Sequence, residues 1–290
     1  MTTNHPGAVL KEKVNARRGL MVAGASNALS ARVIQDLGFE AVYLTGAGIT
    51  NTFYGIPDLG FITLGDLAQH TAATRDAVDL PIIVDADTGF GNELNVRHTV
   101  RTLERAGANA IQLEDQVMPK KCGHFNDKSV VSKEEAASKI KAAVDARHSE
   151  DFLIIARTDA RAIEGFEAAL ERAEMFIRSG ADITFVEAPV SIDELSRIPQ
   201  ALSVPQVVNV VIGGKTPTLD ASEFARMGFG LVLYANAALQ GAVLGMTAAL
   251  TRLRDTGRLD EDSGLVATFA QRQRLVQKDL MDEISLSYKR

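Results

Sequence analysis

The sequence predicts a closed (β/α)8 barrel of the TIM type, and three observations carry that reading. Eight short β-rich runs alternate with longer segments of helical period. Most of these runs are apolar, as strands of a parallel sheet covered on both faces must be. The chain has 290 residues, close to the ~250 typical of one such barrel. An open doubly wound sheet is the competing architecture. It is disfavoured because the first βα turn lacks the GxGxxG fingerprint and because the count closes at eight.

The strands follow in order as "LMVAGA" from Leu20, "AVYLTG" from Ala41, "PIIVDAD" from Pro81 and "AIQLED" from Ala110. "FLIIARTD" from Phe152, "ITFVEA" from Ile183, "QVVNVV" from Gln206 and "LVLYAN" from Leu231 complete the set. Helical patterns such as "SKEEAASKIKAAVDARH" and "EGFEAALERAEMFIRSGA" lie between them. Ser132 ahead of Glu134 and Glu135 predicts an N-cap with a capping box, and Gly180 predicts a C-cap. A short helix precedes the first strand. After about Asp260 the segment "LVATFAQRQRLVQKDLMDEI" has helical period and apolar residues to bury, against either its own barrel or a partner subunit. No low-complexity linker interrupts the chain, so residues 1–290 are expected to form one domain, with 260–290 as its helical tail.

Hydrophobic residues make up 46% of the chain and charged residues 23%, the balance of a globular protein with a full core rather than a disordered one. The net charge is −6, with 31 basic against 37 acidic residues. That leaves no basic stripe for a nucleic acid or an anionic membrane. A single cysteine excludes an intrachain disulfide, and the N-terminus has no apolar core of signal-peptide length. No run approaches the ~20 apolar residues of a membrane span. The expected location is the cytoplasm and the expected partner a small molecule.

In such barrels chemistry sits at the C-terminal strand ends, and here those ends are polar. The second strand ends in Tyr43, Thr45 and Gly46, the third in Asp85 and Asp87, the fourth in Glu114 and Asp115. The fifth ends in Arg157 and Asp159, the sixth in Glu187, and the seventh carries Asn209. Asp85 and Asp87 are two apart and so share a face if both are on the strand. With Glu114 they make an oxygen-rich set that suits Mg²⁺ or Mn²⁺ rather than zinc. The alternative is that "DADTGFG" only turns the chain, its Asp residues capping the next helix. Arg157 has two uses open to it: a bidentate grip on a substrate carboxylate, or an internal salt bridge to Glu187 or Asp159.

Cys122 lies in "KKCGH", between Lys121 and Gly123, with His124 next. Cysteine is usually a core residue, so its place in a polar loop suggests chemistry. A thiol of pKa ~8.5 gives up and recovers a proton readily near neutrality. Taken singly, His124 reads more simply as a loop histidine and Lys121 as a solvated charge.

Together "VDADTGFGN", "EDQ", "KKCGH", "IARTDA" and "VEA", in this order and spacing, resemble the isocitrate lyase and phosphoenolpyruvate mutase superfamily over nearly the whole chain. The branch is that of the 2-methylisocitrate lyases, 2,3-dimethylmalate lyases and petal death protein. The resemblance implies a barrel whose C-terminal helix swaps between subunits, in a homotetramer built as a dimer of helix-swapped dimers. It implies a Mg²⁺ site at Asp85, Asp87 and Glu114 for a 2-oxo or 2-hydroxy acid. Tyr43, Thr45, Gly46, Ala47 and Arg157 match positions around the pyruvate-like half of the ligand. Asp58, Gly123, His124, Glu187 and Asn209 match further site positions. Cys122 matches the general acid of the C–C lyases, with Lys121 and His124 adjusting its charge state.

The implied reaction is a retro-Claisen cleavage of a substituted malate or 2-methylisocitrate to pyruvate or another 2-oxo acid and a carboxylate. Tyr43 is the candidate base. An oxaloacetate hydrolase or decarboxylase, or a phosphonate mutase, is the alternative within the same superfamily. Three features depart from the methylisocitrate lyase pattern, and a fourth departs from that of the oxaloacetate hydrolases. Phe125 follows His124 where an arginine is usual, "VVIGGK" follows Asn209, Gln240 replaces an expected arginine, and Ala235 stands where oxaloacetate hydrolases carry serine. These departures favour a smaller or less charged distal half of the substrate and weigh against hydrolysis.

Overall fold

The computed structural model describes residues 5–121 and 128–289. Its eight strands pair in parallel and in sequence order into a closed barrel. They are β1 (Leu20–Ala25), β2 (Val42–Leu44), β3 (Ile82–Asp85), β4 (Ala110–Glu114), β5 (Leu153–Thr158), β6 (Ile183–Val186), β7 (Gln206–Asn209) and β8 (Leu231–Tyr234). Closure comes from β1 against β8, with Leu20 opposite Leu231 and Ala23 opposite Tyr234. Gly24 makes that seam possible. A Cβ there would lie 1.9 Å from the carbonyl oxygen of Ala235, so only glycine lets the chain beyond β8 come this close.

Core residues divide into an inner and an outer set because strand side chains alternate in direction. Val22, Ile83, Ile155, Val207 and Leu231 belong to the cluster inside the barrel. Leu10 and Val14, on the helix Pro6–Asn15, join that cluster. The outward set, with Val42, Val84, Ile111 and Ile154, packs under the surrounding helices. Fully buried strands of this kind are apolar on both faces, which is why they read as near-continuous apolar runs.

Ser132 caps the helix Lys133–Ala146 by accepting from the Glu135 N–H. The expected capping box is not closed: the Glu135 carboxylate pairs with Lys139 at 3.1 Å, one turn on. Gly180, at φ +99°, lies one residue beyond the cap Ser179. Its N–H donates to Ile177 O and that of Ala181 to Phe176 O, the Schellman arrangement.

Within the single chain the tail leaves its apolar residues uncovered. Neither the helix Phe269–Leu275 nor the helix Lys278–Ser287 has a buried residue. Phe269, Leu280, Met281 and Ile284 are exposed, as are Val243, Leu244 and Leu250 on the long helix Ala237–Thr256. The tail meets the barrel's outer helices through Arg274, which donates to both carboxylate oxygens of Asp36.

Candidate active site

At the C-terminal end of the barrel the interior changes character within one step of the pleat. Ile83 is followed on the same face by Asp85, Ile155 by Arg157, Phe185 by Glu187 and Val207 by Asn209. On β4, Gln112 is followed by Glu114. Asp85, Glu114, Arg157 and Glu187 are all buried. Tyr43, Thr45, Ala47, Asp58, Asp85, Glu114, Lys120, Lys121, Arg157, Glu187 and Asn209 surround one small cavity, with Phe185, Val211, Leu233, Ala235 and Asn236 completing its wall.

Asp87 reaches the site by a different route from the one its spacing suggests. β3 ends at Asp85, and Asp87 has φ +48°, a left-handed conformation that costs a non-glycine residue roughly 1 kcal/mol. The Glu114 N–H holds it there, donating to Asp87 O at 2.9 Å. The turn aims both carboxylates at Gly46: a Cβ on Gly46 would lie 3.4 Å from Asp85 Oδ2 and 3.4 Å from Asp87 Oδ1. Glycine at position 46 thus leaves open the space between β2 and the two acids.

Lys120 is the site residue that sequence reasoning missed. It is 3% exposed, and its Nζ lies 2.7 Å from Asp58 Oδ1 and 2.8 Å from Asp87 Oδ1. Burial pushes its pKa down, but Asp87, Asp85, Glu114 and Asp58 outweigh that and raise it well above the usual lysine value. Of the two adjacent lysines the sequence favoured Lys121, beside the cysteine. Lys121 also lines the cavity, and the Gln116 side chain pins its backbone, accepting from its N–H at 3.0 Å and donating to its carbonyl at 2.8 Å. Cys122, Gly123, His124 and Phe125 lie outside the described residues.

For Arg157 the structure realises the internal salt bridge. Its Nε and Nη2 donate to the two carboxylate oxygens of Asp159 at 2.9 and 3.0 Å, and Nη1 lies 3.1 Å from Glu114 Oε2. Glu187 is 3.6 Å away, and the guanidinium sits over the Phe185 ring. Behind it, Lys128 Nζ is 2.6 Å from Asp159 Oδ1. The Asp159 N–H donates to Asp115, which also accepts from Thr158 Oγ1 at 2.7 Å.

The charges do not balance. Among the described residues, the seven buried carboxylates Asp58, Asp85, Asp87, Glu114, Asp115, Asp159 and Glu187 meet four cations with buried side chains, Lys120, Lys128, Arg157 and Arg172. Burial therefore raises the Asp87 pKa to about 7, against the pull of Lys120 and with the help of Asp85. Burial likewise drives Glu114 well above the usual carboxylate range, opposed by Arg157. Tyr43 is pushed up by burial and by Asp85, so its neutral phenol is the favoured form.

The donor set suits a hard divalent cation, although no three His, Cys, Asp or Glu side chains among the described residues stand close enough to hold one. Asp87 pairs with Lys120 and Glu114 with Arg157. Glu114 Oε1 is buried without a hydrogen-bond partner among the described residues. An orphaned buried carboxylate oxygen beside open space, with negative charge in excess, is what a cation site requires.

A (β/α)8 barrel with a buried, charge-loaded cavity at its C-terminal rim is the architecture of an enzyme for small anionic substrates. Residues 10–254 match the family described as phosphoenolpyruvate phosphomutase, and the chain belongs to this phosphoenolpyruvate mutase/isocitrate lyase superfamily. It is 40% identical over 281 residues to the 2,3-dimethylmalate lyase of Eubacterium barkeri, covering 97% of each chain. To the 2-methylisocitrate lyase of Aeropyrum pernix it is 44% identical over 252 residues, 87% of this chain and 81% of the relative. A crystal structure of 2,3-dimethylmalate lyase superimposes with a TM-score of 0.92 at 32% identity, covering 99% of this chain and 96% of the other. Phosphonopyruvate hydrolase, solved with oxalate and Mg²⁺, superimposes at 0.87 with 27% identity, covering 98% and 99%. Within the superfamily the chain falls with the carbon–carbon lyases.

Proposed function

We propose that this lyase is divalent-metal-dependent and cleaves a 2-hydroxy di- or tricarboxylate, of the substituted malate or 2-methylisocitrate type, to pyruvate or another 2-oxo acid and a carboxylate. The observation that carries the reading is the excess of buried carboxylate: Asp85 and Glu114 line a cavity together with Arg157 and Lys120, and Asp87 pairs with that Lys120. Those three acids are the residues to hold Mg²⁺ or Mn²⁺. Bound there, the ion would offset the surplus charge and lower the pKa of a substrate hydroxyl.

The protein's own groups then divide the work. Arg157 and the Asn209 side chain hold the 2-oxo-acid end, with Thr45, Gly46 and Ala47 giving it room against β2. Tyr43, neutral in its present surroundings, donates to a substrate oxygen. To act as the base Tyr43 must first give its own phenol proton to solvent and take the hydroxyl proton as the phenolate, a form that burial and Asp85 disfavour and Arg157 favours. When C2–C3 breaks, its electron pair passes to C3, where the adjacent carboxylate delocalises it. Cys122 returns a proton to C3, and Lys121, Gly123 and His124 beside it act on the distal carboxylate. Lys120 adds a buried positive charge between Asp58 and Asp87.

Phe185, Val211, Leu233 and Ala235 form an apolar wall, which favours a distal half with alkyl substituents over a third carboxylate. Gln240, which stands in place of the expected arginine, is exposed. The reading includes assembly through the tail, whose unpartnered apolar residues suit exchange between subunits in a homotetramer. Truncation after Asp260 then lowers the mass in light scattering, and an unchanged mass refutes exchange. No helix among the described residues is long and apolar enough to cross a membrane, in keeping with a cytoplasmic enzyme.

The deciding experiment is a screen of 2-hydroxy di- and tricarboxylates with Mg²⁺, reading 2-oxo acid release, alongside Cys122→Ser. The expected result is release from a substituted malate and a fall in kcat of ~10²- to 10⁴-fold in the variant, the usual contribution of a general acid. A variant within a few-fold of wild type removes Cys122 from the reaction. Release from none of the hydroxy acids, with turnover of oxaloacetate or a phosphonate instead, moves the protein to the other reactions of its superfamily.

A further inference from the structure

Lys128 has a buried side chain, lies outside the cavity wall, and has no part in the reaction as described. Its side chain is 2% exposed, and Nζ lies 2.6 Å from Asp159 Oδ1. That same oxygen accepts from Arg157 Nη2 at 3.0 Å, so one carboxylate oxygen is shared between two cations. Asp159 is also absent from the cavity wall. Its backbone is fixed by the N–H bond to Asp115, which keeps the carboxylate in place behind Arg157.

The charge count at this end of the cavity makes the sharing consequential. Arg157 and Asp159, joined by two hydrogen bonds, are together neutral. Glu114 and Glu187 also face the guanidinium, at 3.1 and 3.6 Å. A substrate carboxylate approaching Arg157 would meet a cation already cancelled by its own partner. With Lys128 added, Arg157, Asp159 and Lys128 carry one positive charge to set against the two facing glutamates, and Arg157 is the only one of the three that lines the cavity.

We propose that Lys128 is a positioning residue that acts through Asp159: by offsetting that carboxylate's charge it makes the surroundings of the Arg157 guanidinium less negative and so favours binding of a substrate carboxylate there. The inference rests on the reading of Arg157 as a substrate-binding residue. It concerns affinity for the anion and leaves the bond-breaking step to other groups. Its signature is therefore a change in KM or Kd larger than any change in kcat.

The test is oxalate binding to the Mg²⁺-loaded full-length protein by calorimetry, for wild type and the variants Arg157→Met, Lys128→Met, Lys128→Arg and Lys128→Met/Asp159→Asn. A unit charge removed about 10 Å away in a medium of effective dielectric ~20 weakens binding roughly tenfold. Lys128→Met is expected to show that loss, and Lys128→Arg to restore most of it. The double variant removes lysine and carboxylate charge together and is expected to bind within a few-fold of wild type. It remains informative if Lys128→Met alone does not fold. A purely structural role for Lys128 predicts the opposite order, with the double variant weakest, and that result overturns the proposal. So does wild-type affinity in Lys128→Met while Arg157→Met loses binding. If wild type binds no oxalate, or Arg157→Met binds as well as wild type, the site assignment itself fails and takes the inference with it.

Discussion

The two halves of the barrel interior are built on the same strands, two residues apart, and obey opposite rules. In the lower half Val22, Ile83, Ile155, Val207 and Leu231 fill the space, and burial itself stabilises the fold. In the upper half Asp85, Glu114, Arg157 and Glu187 are equally removed from water, and burial costs energy that pairing only partly returns. Nothing in the packing demands that layer, since two residues below it apolar side chains do the same job. Buried charge in excess of its partners therefore marks where the fold has been set aside for chemistry.

Exchanging the character of the two layers by mutation breaks that comparison most visibly. Asp87→Ala in the upper layer should lower kcat by roughly 10³-fold, the scale of losing a main electrostatic element of a site. Melting of the metal-free protein should stay close to wild type or rise, because an unfavourably buried carboxylate is removed. Residual kcat within tenfold of wild type would mean that Asp87 only shapes the turn.

In the lower layer Ile155→Ala should do the reverse. A cavity left by a fully buried isoleucine costs about 2–5 kcal/mol of stability, measurable by urea unfolding, with kcat within a few-fold at temperatures where the variant is folded. A large loss of kcat with unchanged stability would erase the distinction between the halves.

A smaller effect follows from the direction of the carboxylate shifts in the metal-free protein. Asp87, at about 7, and Asp115, at about 6, are raised above the unfolded value, as is Glu114. The folded state therefore binds more protons than the unfolded state between about pH 4 and 7. Stability from these groups falls as pH rises through that window and is absent above it. Melting temperature in chelator should increase from pH 8 to pH 5.5, with a shallower increase in Asp87→Asn. A melting temperature that falls over that range would show that these acids are ionised and satisfied in the folded protein.

Much of both layers was legible in the sequence. Eight apolar runs placed every strand, and the polar residue closing each run placed Asp85, Glu114, Arg157, Glu187 and Asn209 on the rim. What escaped depends on contacts that local pattern does not encode. "KK" does not say which lysine turns inward, and Lys120 rather than its neighbour fills the space between Asp58 and Asp87. The signal available was the surplus of rim acids, which called for a buried cation close by in the chain. Spacing brought Asp85 and Asp87 together for the wrong reason, since a positive φ at Asp87, and not strand alternation, aims the second carboxylate. Lys128 and Asp159 are 31 residues apart, and their pairing appears only once β5 stands beside the chain that follows β4.

The central claim is that the upper layer carries surplus negative charge because it holds a divalent cation, and the direct measurement is Mn²⁺ binding to chelator-stripped protein, followed by electron paramagnetic resonance or calorimetry. The account predicts one site per chain, displaced by Mg²⁺, and lost or greatly weakened in Asp87→Ala and Glu114→Gln while Ile155→Ala retains it. Absence of saturable Mn²⁺ binding in wild type, or binding unchanged by either acid substitution, would contradict it.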